Sequence, residues 1–153
     1  MGKKPNMNTG FRSMRMEDYD AVLRLWSSVD GLCLGEDDGR ERIALYLSRN
    51  PGLCFVAVDE GEIVGAVLSG HDGRRGILRH LAVAENWRNG GIAKRLVQLC
   101  MEGLARQGIQ KCNVHVMDLN GAGLKFWEHI GFSRIQDDYR TLQLPTSRLI
   151  GSN

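Results

Sequence analysis

Apolar side chains recur along this chain with two periods, and the places where the period changes mark its elements. After Glu17 and Asp18, the residues Tyr19, Val22, Leu23 and Trp26 fall on one helical face, with the two acids in the first turn, where they complement the helix dipole. Asp38, followed three positions later by Glu41, has the form of a capping box; Ile43, Tyr46 and Leu47 then continue a second helical face until Asn50-Pro51-Gly52 stops it. Residues 53–58 (LCFVAV) and 63–70 (IVGAVLSG) are strand-like and flank Glu60-Gly61, so they read as an antiparallel hairpin, with a shorter strand expected at 11–14. Past the DGRRG turn at 72–76, residues 77–83 (ILRHLAV) form another strand. Ile92, Leu96, Val97, Leu99, Cys100 and Leu104 keep a 3.6-residue stripe to about Gln107-Gly108, and residues 111–117 (KCNVHVM) return to strand. Strand, helix, strand across 77–117 is a crossover unit, which sets its two strands parallel with a right-handed connection. Asn120 caps a last helix carrying Phe126, Trp127 and Ile130 and closed by Gly131, and two short strands are expected at 132–135 and 141–144.

Length and charge narrow the classes. A chain of 153 residues holds one domain with a core of its own and leaves little room for a second. Residues 1–10 (MGKKPNMNTG) are polar and read as a flexible arm, with Asn6 where a myristoylation motif wants Ser or Thr; residues 11–153 read as the single domain. A formal charge of +2 is too small for a dedicated nucleic-acid binder. Cys33, Cys54, Cys100 and Cys112 have no CxxC spacing and sit in or near apolar segments, which fits reduced, buried thiols in a cytoplasmic protein; no metal site is read from them. No apolar run approaches the roughly 20 residues that span a bilayer.

The chemistry concentrates at Arg88-Asn89-Gly90-Gly91-Ile92-Ala93, where the third helix opens. Helix N-termini carry unpaired N–H groups and the positive end of the dipole, and glycine lets an anion approach the main chain without a Cβ in the way. A pyrophosphate cradle is one reading and a plain strand-to-helix turn the other; an isolated Gly-Gly does not separate them. The stretch is neither a GxGxxG dinucleotide fingerprint nor a Walker loop, since no third glycine and no Gly-Lys-Ser/Thr is present.

The same six residues resemble the Arg/Gln-x-x-Gly-x-Gly/Ala signature of the GNAT superfamily of acyl-CoA-dependent N-acetyltransferases. Upstream, LAVAENWR (81–88) is similar to the strand and loop that lead into that signature; downstream, NGAGLKFWEHIGF (120–132) is similar to the family's final helix. The likeness covers roughly residues 11 to 144. It implies an α/β (α+β) fold with a mixed, mostly antiparallel central sheet of six to seven strands, flanked by about four helices. It also implies acetyl-CoA as co-substrate, an amine as acceptor, no metal, no nucleic acid, no membrane, and a chain that can form a homodimer. The amides of Arg88, Asn89, Gly90, Gly91, Ile92 and Ala93 would take the coenzyme pyrophosphate, with Arg88 and Lys94 as phosphate neighbours. The main chain of Leu81-Ala82-Val83, through Leu81 and Val83, would pair with the pantetheine arm. Asn120 matches a position that touches pantetheine, Phe126 one that packs beside it, and Trp127 a large core or cofactor-side residue. Asn120 serves equally as a helix cap and Phe126 as core. Six Lys or Arg residues against one acid, Glu85, lie between Arg74 and Arg95, a balance that favours phosphates.

Acyl transfer to an amine needs a base for the ammonium, a donor for the developing oxyanion and a route for the thiolate to leave. The oxyanion donor would be a main-chain N–H near Val83. In a regular strand over 77–83, Arg79, Leu81 and Val83 share one face, and Leu78, His80 and Ala82 point the other way. His80 is the candidate base, since an imidazole titrates near pH 6.5; a hydrogen-bonded histidine within the sheet is the alternative. His115 and His71 are weaker candidates, and His129 reads as surface. Many family members carry a tyrosine that protonates the thiolate where this chain has Trp127, whose indole is no acid; Tyr139 is a substitute, and water is another. Glu36, Asp37 and Asp38 would border the acceptor pocket and attract a cationic amine, or simply favour the start of a helix. A non-catalytic acyl-CoA sensor and a generic nucleotide-binding domain are the competing readings.

Overall fold

The computed structural model describes residues 8–135 and 140–148. The elements follow in the order β1 (Gly10–Ser13), α1 (Tyr19–Ser27), α2 (Arg40–Arg49), β2 (Phe55–Asp59), β3 (Glu62–His71), β4 (Gly76–Val83), α3 (Ile92–Arg106), β5 (Cys112–Val114) and α4 (Gly121–His129), with short 3-10 turns at Met16–Asp18, Glu36–Asp38 and Glu85–Trp87. The sheet runs β1-β2-β3-β4-β5; the first four strands are antiparallel to their neighbours, and β5 lies parallel to β4. Parallel neighbours need a crossover, and α3 supplies it. Glu60 (φ 50°) and Gly61 (φ 81°) both take left-handed conformations, the combination a two-residue hairpin turn between β2 and β3 requires.

Two apolar cores lie on opposite faces of the sheet. One gathers Leu53, Phe55, Val67, Leu78 and Val83 with Ile92, Leu96, Val97, Cys100 and Leu104 of α3 and Trp127 of α4. The other gathers Val56, Ala66, Leu68 and Ala82 with Val22, Leu25 and Trp26 of α1 and Ile43 of α2. The stripe read along α3 is buried as expected, save that Leu99 lies at its margin and Gly103 joins it. At Gly103 the helix passes so close to the α2–β2 connection that a Cβ would stand 2.9 Å from Leu53 Cδ2.

Several expectations are corrected. Among the described residues the sheet has five strands, not six to seven: neither 132–135 nor 141–144 is a strand. Phe132 instead closes α4, its N–H donating to Trp127 O at 2.9 Å while Gly131 adopts φ 111°. Leu142 is 91 % exposed, so the alternating pattern there finds no neighbour to pair with, and strand propensity without a partner does not make a strand. The strand read over 111–117 shortens to Cys112–Val114. Asp38 does not cap α2; Gly39 holds that position, and Asp38 ends the preceding turn with its carboxylate turned elsewhere. Cys33 is exposed, whereas Cys54 and Cys100 are buried, and all four thiols are free.

Burial pushes the Cys54 and Cys100 thiols up to about 12 and Cys112 up to about 11. Because the thiolate is the reactive form, iodoacetamide at pH 8 is expected to label Cys33 alone in the native protein, checked by peptide mass mapping. The Tyr46 hydroxyl is shut off from solvent and has no hydrogen-bond partner among the described residues. An unsatisfied buried donor costs about 1–3 kcal/mol, so Tyr46→Phe is expected to raise the melting temperature, read by thermal unfolding.

Candidate functional site

The site follows from a mismatch along β4. Its pairing with β5 ends after Leu78↔Val114, whereas its pairing with β3 runs on to Val83. The register with β3 slips on the way: Ala66 faces Ala82 and Leu68 faces Arg79, so His80 and Leu81 together oppose Val67. This is a β-bulge, and His80 carries it with φ 53°. The expected alternation is therefore broken. Leu78, Leu81 and Val83 all face the α3 core while Ala82 faces the α1–α2 core, which places Leu78 opposite to the face assigned from a regular strand. His80 does turn away from Leu81, toward α1.

Beyond the bulge, the peptide groups of β4 alternate between β3 and the gap. Ala84 N–H donates to Val64 O at 2.8 Å, so Val83, and with it Leu81, turn theirs toward the gap that β5 has left. The Val83 carbonyl is met there by Arg88 Nε at 3.0 Å. Arg88 is thus anchored to the strand by one nitrogen.

The turn into α3 stands at the mouth of this gap. Asn89 (φ 64°) and Gly91 (φ 87°) are left-handed, and Gly91 is the N-cap. The first main-chain bond into the helix is Arg95 N–H to Gly91 O at 3.0 Å, and the amides of residues 89–94 donate to nothing among the described residues. They form an unfilled rank of donors at the positive end of a 15-residue helix. A Cβ on Gly91 would meet no atom within 4 Å; it would project into open space.

A cavity of about 650 Å³ joins these parts. Its lining includes His80, Leu81, Ala82, Val83, Arg88, Asn89, Gly91, Ile92, Ala93, Lys94, Asn120, Phe126 and Trp127, together with the loop Val29–Cys33, Arg79 and His115. Gly90 is not among the residues that line it. Ala82 turns its methyl into the α1–α2 core and offers main chain only. Asn120 caps α4, its Oδ1 accepting from Gly123 N–H at 3.0 Å, and still faces the cavity. Trp127 is a buried wall, edge-on to Phe126 (5.1 Å between ring centroids) and Phe132 (5.0 Å). Tyr139 lies outside the described residues. The basic run is less focused than its sequence spacing implies: Arg95 pairs with Glu102, Arg74 pairs with Asp72, and only Arg79, Arg88 and Lys94 of the six line the cavity.

His80 is held from three sides. Its Nε2 lies 2.6 Å from Asp38 Oδ1, with the two side chains 19 % and 13 % exposed. Its carbonyl accepts from Trp26 Nε1 at 2.9 Å, and the two rings stand edge to face with centroids 5.0 Å apart. Asp38 is fixed in turn, its Oδ2 accepting from Gly35 N–H at 2.8 Å. Sequence spacing gave no signal for this pair, because the partners are 42 positions apart and Asp38 is already accounted for as a cap. Glu36 and Asp37 remain exposed and are not among the lining residues. His71 is a structural histidine: Nδ1 accepts from Gly73 N–H at 3.0 Å and Nε2 lies 2.7 Å from Gln107 Oε1, which uses both ring nitrogens. His129 is exposed and stands away from the cavity.

The model of the acetyltransferase (GNAT) family matches residues 19–132. The chain belongs to this family. As a GNAT-family member it is an acyl-CoA-dependent N-acetyltransferase, and curated relatives agree. An acetyltransferase of Pectobacterium atrosepticum is 33 % identical over 124 residues, covering 81 % of this chain and 87 % of the relative. One from Sodalis glossinidius is 32 % identical over 121 residues, covering 79 % and 84 %. Among solved structures, the PaiA N-acetyltransferase from Thermoplasma acidophilum, in complex with coenzyme A, superposes with a TM-score of 0.74 over 86 % of this chain and 94 % of that one, at 17 % identity, and shows the shared fold. No helix among the described residues is long and apolar enough to cross a membrane.

The left-handed N-cap gives the site a direct test. Gly91→Val combines a backbone cost of about 1–3 kcal/mol with a side chain projecting over the free amides. Calorimetry with coenzyme A is expected to show binding weakened at least tenfold, while the far-UV dichroism of the variant stays native.

Proposed function

We propose that the protein transfers the acetyl group of acetyl-CoA to the primary amine of an acceptor by direct attack, with His80 as the base. The observation that carries this reading is that one cavity is lined by the α3 turn with its free amides, by the open edge of β4 and by His80, whose ring Asp38 holds from behind. The fit to the coenzyme rests on the donors. The amides of residues 89–94 and the remaining nitrogens of Arg88 match a pyrophosphate, with Lys94 beside them. The peptide groups of Leu81 and the N–H of Val83 match an amide-bearing arm lying alongside as an added strand. Asn120 keeps its Nδ2 for the same arm, and Phe126 and Trp127 wall it off from water. When bound, acetyl-CoA supplies an acyl thioester, whose sulfur leaves as a thiolate of ordinary thiol acidity.

The chain's own residues supply the rest. A carboxylate only accepts, so the proton between His80 and Asp38 resides on Nε2 and the lone pair on Nδ1, which has no partner among the described residues. That nitrogen takes the proton from the incoming ammonium, directly or through a water, and Asp38 steadies the resulting imidazolium. The N–H of Val83 or Leu81, aimed into the gap, stands where the thioester oxygen gains charge. Trp127 donates no proton, so water serves the departing thiolate.

Purified protein with acetyl-CoA and an amine panel is expected to release free thiol only when an acceptor is present. His80→Gln should lower kcat by about 10²–10⁴-fold, the usual span for a general base. Asp38→Asn should lower kcat as well, because the amide can donate to Nε2 and so move the imidazole proton to Nδ1. An unchanged kcat in both variants overturns the base assignment; tight coenzyme binding with no amine-dependent release favours the sensor.

A further inference from the structure

A second groove continues from the reaction site along the α2 face of β4 and β5. Its volume is about 340 Å³, and Arg79 and His115 belong to its lining and to that of the coenzyme cavity alike. The geometry that joins them is the pleat. Leu78 and Val114 face the α3 core, so their strand neighbours Ile77, Arg79, Asn113 and His115 stand on the opposite face, the one toward which His80 also turns. Tyr46 of α2 and Asn50 at its C-cap occupy the space over Gly70 and help close the groove, and the β3–β4 turn with Arg75 shuts its far end.

The charge in this groove is one-sided. The guanidinium groups of Arg75 and Arg79 make no ion pair or hydrogen bond among the described residues. The one acid lining the groove, Asp72, is already engaged by the amides of Arg74 and Arg75 and by the Arg74 side chain. Asn113 and His115 add neutral donors. Two unengaged guanidiniums beside amide and imidazole donors suit a carboxylate, which Arg binds in a two-pronged fashion. The volume suits a small molecule.

We infer that the acceptor is a small amino-carboxylate, whose amine meets His80 while its carboxylate lies in this groove on Arg79, with Arg75 behind it. The inference rests on the acetyl-transfer reading and narrows it: the α2 face of β4 selects for a negative group a few bonds from the amine. Polyamines and uncharged amines lack that group.

The test is calorimetry on the coenzyme-bound protein with free amino acids, β-alanine and 4-aminobutyrate, each beside its amide, and with phosphoethanolamine to separate carboxylate from phosphate recognition. At least one amino-carboxylate is expected to bind ten times more tightly than its amide, and Arg79→Gln is expected to bring that ratio below threefold, with Arg75→Gln intermediate. Thiol release under the same conditions should follow the same order. Equal binding of acid and amide, binding of neither, a preference for the phosphate, or a preference that survives both substitutions overturns the inference. Thiol release that persists with the amides while no acid preference appears would sink this inference alone. Acid-selective binding without any thiol release would uphold the groove and sink the transfer reading.

Discussion

Everything distinctive in this molecule depends on β4 having two neighbours of unequal length. Antiparallel β3 holds it from Gly76 to Val83, while parallel β5 leaves after Leu78. An unpaired strand edge inside a protein is costly unless something satisfies it, so the peptide groups of Leu81 and Val83 constitute a demand for a partner. Arg88 meets part of it at the Val83 carbonyl. What is left has the form of a missing strand, and the free amides at the start of α3 stand at its end. The surface left open there is thus made of main chain.

The bulge on β4 is the second consequence of that geometry. A regular strand would set His80 in line with both Leu78 and Ala82; the extra residue absorbs a left-handed φ, so the ring stays on the α1 face with Ala82 while Leu78 turns to the α3 core. Such a conformation costs about 1–3 kcal/mol for a residue other than glycine. Trp26 holds the carbonyl and Asp38 holds the ring, so the fold offsets that cost with specific contacts. All three contacts come from α1 and the turn before α2, which ties the orientation of the imidazole to the packing of those elements.

The arrangement of helices and the first five strands was legible because each has a strong local cause: the periodicity of α3, the Glu60-Gly61 turn, the Asn120 cap. The rank of amides was only half legible, since Gly90-Gly91 left a cradle and a plain turn open and the likeness of Arg88–Ala93 to the GNAT signature favoured the cradle. What failed to show depends on pairing over distance. Whether 132–135 and 141–144 become strands is decided by a neighbour, and β5 provides only Cys112–Val114 of ladder. The bulge is invisible in an alternating stretch such as ILRHLAV because the extra residue belongs to register, which two strands share. Asp38 was hidden by a local explanation that was sufficient by itself; the cap reading satisfied the sequence pattern, and only the fold shows that Gly39 takes over the cap and frees the carboxylate for His80.

Trp127 shows how these constraints shape the chemistry. Wedged edge-on between Phe126 and Phe132, it is a structural part of the α4 contact with the sheet. On the acetyl-transfer reading proposed above, proton handling would fall to His80 and Asp38, while Phe126 and Trp127 form an aromatic wall of the same cavity. That division would suit a thiolate, which is a tolerable leaving group near neutral pH, far better than it would suit an alkoxide. Such a site would need a base and a dry wall more than an acid, and the packing of α1 and α4 holds the groups that would serve as both.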